Sequence, residues 1–339
     1  MSHELIGNGC ARSLERWIEE GAQLGLMRRL QFRYGSYWFE KLLQLQATSR
    51  AEKRASVEPV FVHGFWRSGT SLLHNWLALG LDIRTPTTWE CFRPATHGLR
   101  AAGSVASASR PMDEGQIRDD APQEDEFALL LLGAPSLYRS FLRPDRIEQI
   151  WDEAIATRDA LPDRWLDFVA GLASAEDPGV LLKSPNHLFR VAALRARFPG
   201  APEIWIGRDF ARCCASTLKM WHTMTARHAL VPAPAGAIEA LVLRLATEYR
   251  NVLRGLLDSP PAAPVLWVEY ESLRTSPPTP TQRIGERLKR TLTMHEDPLL
   301  RVQKGRFGVS SAIQLPHAYA ALVNTVDQLH AEARERWAP

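Results

Sequence analysis

Pro59-Val60-Phe61-Val62-His63-Gly64-Phe65-Trp66-Arg67-Ser68-Gly69-Thr70-Ser71-Leu72-Leu73-His74-Asn75-Trp76-Leu77 carries the decision about the fold. Val60 to Val62 is a short apolar run, the pattern of a strand buried on both faces. Gly64 to Gly69 forms a loop bounded by glycines. Leu72, Leu73, Trp76, Leu77 and Gly80 then recur at helical spacing, so the loop is expected to open directly into a helix. The first N–H groups of a helix have no partners inside it, and the dipole there is positive, so such a turn binds an anion. Gly64 and Gly69 have no Cβ and let the backbone approach that anion closely.

The spacing fits the nucleotide-binding pattern G-x-x-x-x-G-K-[ST] at Gly64, Gly69 and Ser71, but Thr70 stands where the lysine belongs. Without that lysine the loop is poorly equipped for the β- and γ-phosphates of a triphosphate. Arg67, with the hydroxyls of Ser68, Thr70 and Ser71, suits a single terminal phosphate or sulfate. The plain alternative is a strand–turn–helix with glycines for geometry and a solvated arginine. Arg67-Ser68-Gly69-Thr70-Ser71 after a strand resembles the 5′-phosphosulfate loop of the sulfotransferases that use 3′-phosphoadenosine 5′-phosphosulfate. The resemblance implies that these five residues hold the donor's 5′-phosphosulfate.

Working outward, Val60–Val62, Gly179–Leu182, Glu203–Gly207 and Val265–Val268 read as strands separated by helical patterns. That alternation predicts an α/β fold, a P-loop-like three-layer sandwich with a mainly parallel central sheet. Its ligands are expected beyond the carboxyl ends of the strands, where Arg67, Lys183, Arg208 and Tyr270 fall. Residues 57–300 read as the α/β domain, 1–56 as a helical N-terminal extension, and 301–339 as a C-terminal loop and helix packed on it. The N-terminal segment fits helices packing on the domain or on a second subunit in a homodimer; Arg28, Arg29 and Arg33 also suit a membrane-surface helix. Residues 98–120 read as a long loop, either a lid or disordered. Pro122 to Phe127 starts a helix by its acidic first turn. Tyr138–Leu142 reads as a short strand, 145–173 as helical, and His187–Phe198, Phe210 to about Met224 and 235–258 as helices.

A net charge of +3 over 339 residues, with no long basic run, argues against a nucleic-acid partner. Cys10, Cys91, Cys213 and Cys214 show neither C-x-x-C nor zinc-type spacing, so no metal and a reduced, cytoplasmic setting are expected. No signal-peptide pattern opens the chain. The longest apolar run, Phe127 to Leu132, is too short to cross a bilayer, so a soluble protein without a transmembrane segment is expected.

Arg208 ends a strand and Ser216 lies two turns into the following helix, so the two can grip one phosphate from two sides. The alternative has Asp209 as a mere N-cap and Arg208 on the surface. Arg208-Asp209 with Ser216 resembles the sulfotransferase 3′-phosphate motif, although Phe210 replaces the usual Pro or Gly. Lys183, in Leu-Leu-Lys-Ser-Pro-Asn-His, can place its charge on the oxygen between phosphate and sulfate, where charge grows as the bond breaks. It resembles the Lys-x-Pro lysine of the tyrosylprotein branch. That branch implies a glutamate base near Glu90; His97, Glu124 and Asp125 are rivals. His187 after its Pro turn reads as structural. Lys304, in Gln303-Lys304-Gly305-Arg306-Phe307-Gly308, resembles a second 3′-phosphate loop, and Tyr270 suits stacking on adenine.

The resemblance implies a bacterial sulfotransferase moving a sulfuryl group to a hydroxyl or amine of a small-molecule, lipid or peptidyl acceptor. Trp89, Phe92, Phe127, Tyr138 and Phe141 suggest an apolar or aromatic one. A nucleotide kinase or hydrolase with a degenerate loop, and a non-catalytic nucleotide-binding module, stay open as alternatives.

Overall fold

A computed structural model describes residues 57–94, 107–109, 116–174, 176–294, 296–300 and 315–338. The chain runs through strand β1 (Glu58–His63), helices α1 (Thr70–Gly80) and α2 (Thr88–Cys91), and strands β2 (Ser107–Ser109) and β3 (Gln116–Arg118). Helices α3 (Glu126–Leu131), α4 (Ile147–Ala156) and α5 (Asp163–Leu172) follow. Then come β4 (Gly179–Lys183), α6 (Val191–Arg197), β5 (Glu203–Gly207), α7 (Phe210–His228) and α8 (Ala237–Asp258). The last elements are β6 (Val265–Glu269), α9 (Tyr270–Thr275), α10 (Pro278–Leu288) and α11 (Ala320–Trp337).

The strands expected from the apolar runs form one parallel sheet in the order β4-β1-β5-β6. Because side chains alternate across a strand, each run feeds two cores. Val60, Val62, Leu181, Ile204, Ile206, Leu266 and Val268 meet Leu73, Trp76 and Leu77 of α1 and Ile284 of α10. Phe61, Val180 and Leu182 pack under Trp165 and Phe168 of α5 and Leu194 of α6. Trp205 and Trp267 join Phe210, Leu241, Tyr249, Val326 and Leu329 from α7, α8 and α11. Buried indoles need a partner for the ring N–H. Trp165 donates to Asp125 at 3.0 Å, Trp205 to Glu203 at 3.0 Å and Trp267 to Glu269 at 2.7 Å. The outer strand β4 is closed off by the Arg84 carbonyl, which accepts from Leu181 N at 2.8 Å, and by Thr85 Oγ1, which donates to Leu181 O at 2.8 Å.

Three local expectations are corrected. Tyr138–Leu142 is not a strand but part of a 3₁₀ turn over Leu137–Phe141, because the Ser136 hydroxyl accepts from Tyr138 N at 3.3 Å and Ser140 Oγ donates back to Leu137 O at 2.7 Å. The helical stretch 145–173 is broken between α4 and α5, with Pro162 capping the second piece. The helix expected from His187 starts instead as a 3₁₀ turn at Pro185–Phe189, and α6 begins at Val191. Within 98–120, Ser107–Ser109 and Gln116–Arg118 pair antiparallel. The N-terminal helices and Lys304 lie outside the described residues.

Burial holds His63 and His74 neutral, with pKa values lowered to about 3, and His330 lowered to about 4. Below pH 6.5 these imidazoles take up protons only when the chain unfolds, so the unfolded state binds more protons and stability falls as pH falls. Between pH 6 and 5 the expected loss is about 1.2 kcal/mol for each buried ring, above the range where carboxylates titrate. Urea unfolding at pH 7, 6 and 5 reads that slope. His74→Gln is expected to remove one ring's share of it; an unchanged slope in the variant contradicts the assignment.

Candidate functional site

The parallel sheet brings its carboxyl edge to one place. β1 pairs with β4 on one side and β5 on the other, and the register sets Val62 beside Lys183 and Gly207 beside Glu269. The chain leaves β1 in one direction and later strands add on both flanks, so β1 is the switch point where such sheets open a crevice. The loop from Gly64 to Gly69, the end of β4, the turn after β5 and the start of α9 all meet there.

The loop is wound tightly. Arg67 has φ 65° and Gly69 φ 105°, both left-handed, and Gly69 caps α1 without a side-chain bond to the helix N–H groups. A Cβ on Gly69 would lie 2.4 Å from the Tyr270 ring, so only glycine serves on both counts. Ser68 is 2% exposed, and its hydroxyl is buried without a partner among the described residues. The same holds for Arg208 Nε. Buried polar atoms are nearly always paired in a folded chain, so a hydroxyl and a guanidinium nitrogen left open beside a helix N-terminus fit an anionic ligand.

Arg67, Arg208, Ser216 and Tyr270 form one network. Arg67 Nε donates to Ser216 Oγ at 3.2 Å, and Arg208 Nη1 donates to the Arg67 carbonyl at 3.0 Å. The Arg208 guanidinium lies over the Tyr270 ring, 4.1 Å from its centroid. From sequence, Arg67 belonged with the 5′ end of the donor and Arg208 with Ser216 at the 3′ end; the two groups are in contact. Asp209 caps α7 by accepting from Arg212 N at 2.9 Å. The turn is braced from behind by α11, where Asp327 accepts from Phe210 N at 3.2 Å and the Tyr249 hydroxyl meets His330 Nε2 at 3.0 Å. The His330 ring also bonds the Arg208 backbone. No local signal in the sequence pointed to these two residues; only the tertiary packing of α11 brings them in.

Lys183 ends β4 at 2% exposure. Its ammonium donates to Glu124 Oε1 at 2.9 Å and reaches Ser71 Oγ of the loop helix at 3.4 Å. The other oxygen of Glu124 accepts from the Tyr138 hydroxyl at 2.6 Å. Burial pushes the Tyr138 phenol well above its usual pKa, and the charge and hydrogen bond of Glu124 push the same way, so the phenol keeps its proton and donates.

The neighbours of Glu124 are committed to structure. Asp125 Oδ2 bonds His187 Nε2 at 2.9 Å and Trp165 Nε1 at 3.0 Å. Burial pushes its carboxyl up, but the charge and bond of His187 with the bond of Trp165 outweigh it and hold the group below the usual range. Glu126 pairs with Arg190 at 2.8 Å. The acidic run therefore clamps the segment from Lys183 to Arg190 rather than simply complementing a helix dipole. Glu90, read from sequence as the base, is occupied elsewhere. It closes a capping box with Thr87, whose N–H and hydroxyl donate to Oε2 at 2.9 and 3.0 Å, and it pairs with Arg84 through Oε1. Of the described candidates for the base, Glu124 is the one bonded to Lys183; His97 lies outside the described residues.

An aromatic row leads to this pair from the surface. Phe92, 46% exposed, stacks on Phe127 at 5.0 Å; Phe127 meets Tyr138 at 5.5 Å, and Tyr138 stacks on Phe141 at 5.2 Å. Among the described residues no group of three or more His, Cys, Asp or Glu could hold a metal ion, and no helix is long and apolar enough to cross a membrane.

Comparison with known proteins agrees with this arrangement. The profile of the Sulfotransferase family matches residues 59–294. Omega-hydroxy-beta-dihydromenaquinone-9 sulfotransferases of Mycobacterium bovis and Mycobacterium tuberculosis are each 30% identical over 256 residues, 70% of this chain. The match spans 64% of those relatives' own length. A crystal structure of a sulfotransferase from Mycobacterium avium superposes with TM-score 0.65 at 21% identity, over 91% of this chain and 85% of that one. One from Mycobacterium tuberculosis gives 0.54 at 16% identity, over 98% and 93%. At those identities the structures speak for the fold.

Proposed function

The chain belongs to the sulfotransferase family, and on that premise we propose that it moves a sulfuryl group from 3′-phosphoadenosine 5′-phosphosulfate to an acceptor hydroxyl or amine by in-line displacement. The observation that carries this reading is two buried polar atoms without a partner among the described residues, Ser68 Oγ in the glycine loop before α1 and Arg208 Nε in the turn between β5 and α7. Ser68, Thr70, Ser71 and the loop N–H groups suit the 5′-phosphosulfate. Arg67, Arg208 and Ser216 suit the 3′-phosphate, with Lys304 assigned there by resemblance and Tyr270 beside the nucleoside. In the transfer, the acceptor oxygen forms a bond to sulfur and the bond from sulfur to the bridging oxygen breaks. The electron pair leaves on the 5′-phosphate, where Lys183 meets the growing charge. The acceptor proton passes to Glu124, which takes the role first read for Glu90.

The aromatic row from Phe92 to Tyr138 favours a hydroxyl carried on an apolar, lipid-like body, in keeping with the menaquinone-type acceptor in the relatives' name. The free, buried thiols Cys91, Cys213 and Cys214 fit a reduced, cytoplasmic setting. In this reading residues 57–300 are the catalytic domain and the flanking segments are extensions.

A thermal-shift titration of wild type and Arg208→Ala with 3′-phosphoadenosine 5′-phosphate and with ATP tests the donor. A ligand that binds only the folded chain stabilises it by about 2.7 kcal/mol at a hundred times its Kd. The bisphosphate is expected to raise the melting temperature of wild type, ATP to do so weakly, and Arg208→Ala to lose the shift. Equal stabilisation by ATP, or an undiminished shift in the variant, overturns the assignment and revives a kinase or hydrolase.

A further inference from the structure

We propose that Glu124 is an internal counter-ion that occupies Lys183 until the donor arrives, so that donor binding is what releases Glu124 to act on the acceptor. The inference rests on the donor reading above.

It starts from a charge balance. A lysine at 2% exposure cannot stay charged without a partner, and Glu124 Oε1 at 2.9 Å is that partner. Glu124 answers with Oε1 on Lys183 and Oε2 on Tyr138 at 2.6 Å. Each oxygen thus already accepts one hydrogen bond, and Oε1 is held against the ammonium. The pair is also built rather than incidental. Lys183 is fixed by the register of β4 against β1, and Glu124 is fixed by the two residues that follow it, through the bonds of Asp125 to His187 and Glu126 to Arg190.

The ammonium stands between two claimants. On one side is Glu124, and on the other is Ser71 Oγ at 3.4 Å, in the first turn of the helix behind the anion loop. A phosphate or phosphosulfate on that loop competes for the same N–H donors. Once Lys183 turns to it, Glu124 Oε1 is free to accept a proton while Tyr138 keeps Oε2 aimed. Each end state pairs the lysine with one anion, and after the exchange Glu124, 16% exposed, keeps the Tyr138 hydroxyl and partial contact with solvent. Glu124 thus taxes the affinity of the 5′-phosphate and withholds the base from a donor-free site.

Calorimetric titration with two nucleotides tests the exchange. One is 3′-phosphoadenosine 5′-phosphate; the other is adenosine 3′-phosphate, which lacks the group that competes for Lys183. Glu124→Gln is expected to bind the bisphosphate about 3- to 10-fold tighter than wild type, as a closed state holding most of the population implies. Its affinity for adenosine 3′-phosphate is expected to stay within about twofold, and its turnover to fall about 10²-fold for want of a base. Glu124→Asp keeps the charge but is one methylene too short for the 2.9 Å contact, so it too is expected to tighten the bisphosphate. This second variant also covers the case in which the glutamine protein does not fold. Unchanged or weaker bisphosphate binding overturns the exchange, and so does equal tightening of both nucleotides, which is the mark of a diffuse field. If wild type binds neither nucleotide, the donor reading falls and the exchange falls with it.

Discussion

Lys183→Met is expected to lower turnover about 10³-fold while leaving the affinity for the bisphosphate within roughly an order of magnitude of wild type. The lysine side chain is almost wholly buried, and the bridging oxygen it would meet gains most of its charge as the sulfur–oxygen bond breaks. A contact that strengthens during the reaction acts on the rate rather than on ground-state binding. Methionine fills a similar volume, so the effect is separable from a packing loss. Single-turnover measurement with saturating donor and acceptor reads it directly. A variant with near-normal turnover and a raised KM for the donor instead makes Lys183 a simple binding residue. Glu124 loses its partner in the same variant, and Tyr138 alone then holds it, so a modest fall in stability is expected alongside.

The second large effect is structural. Glu126→Ala is expected to destabilise the fold by about 3–5 kcal/mol, the range found when one member of a buried ion pair is removed. Glu126 is fully buried, and Arg190 at 7% exposure pairs with it at 2.8 Å while also donating to the Pro135 carbonyl at 2.7 Å. Alanine leaves that guanidinium with a carbonyl in place of a carboxylate. Because the same acidic run positions Glu124, the damage is expected to spread to turnover as well. Urea unfolding followed by tryptophan fluorescence gives the free energy; a change under about 1 kcal/mol shows that water reaches Arg190.

The parts of this fold that the sequence displayed are those governed by short-range patterning. Val60–Val62, Gly179–Leu182, Glu203–Gly207 and Val265–Val268 are apolar on both faces, so each announced a strand in a covered parallel sheet, and the glycines around Arg67 announced the turn. Two kinds of information were hidden. Tyr138 has strand-forming neighbours, but the hydroxyls of Ser136 and Ser140 wind it into a 3₁₀ turn. The role of each carboxylate depended on its partners: Glu90 is claimed by near neighbours, Thr87 in a capping box and Arg84, whereas Glu124 meets a lysine 59 positions away. Residue type and position relative to a motif point to Glu90; the proposal for Glu124 rests on its 2.9 Å contact with Lys183. Likewise the contact between Arg67 and Ser216 spans 149 positions, so no local pattern could show that the glycine loop touches the helix after β5.

The brace on the Arg208 turn has a consequence for biosynthesis. Asp327 and His330 belong to α11, which a ribosome makes after every strand of the sheet is complete. A nascent chain can therefore assemble the sheet and its glycine loop while the turn that orients Arg208 is still unsupported, with the apolar faces of α7 and α8 that α11 covers exposed to chaperones. The proposed nucleotide site is expected to become competent only once α11 has docked on the turn that carries Arg208.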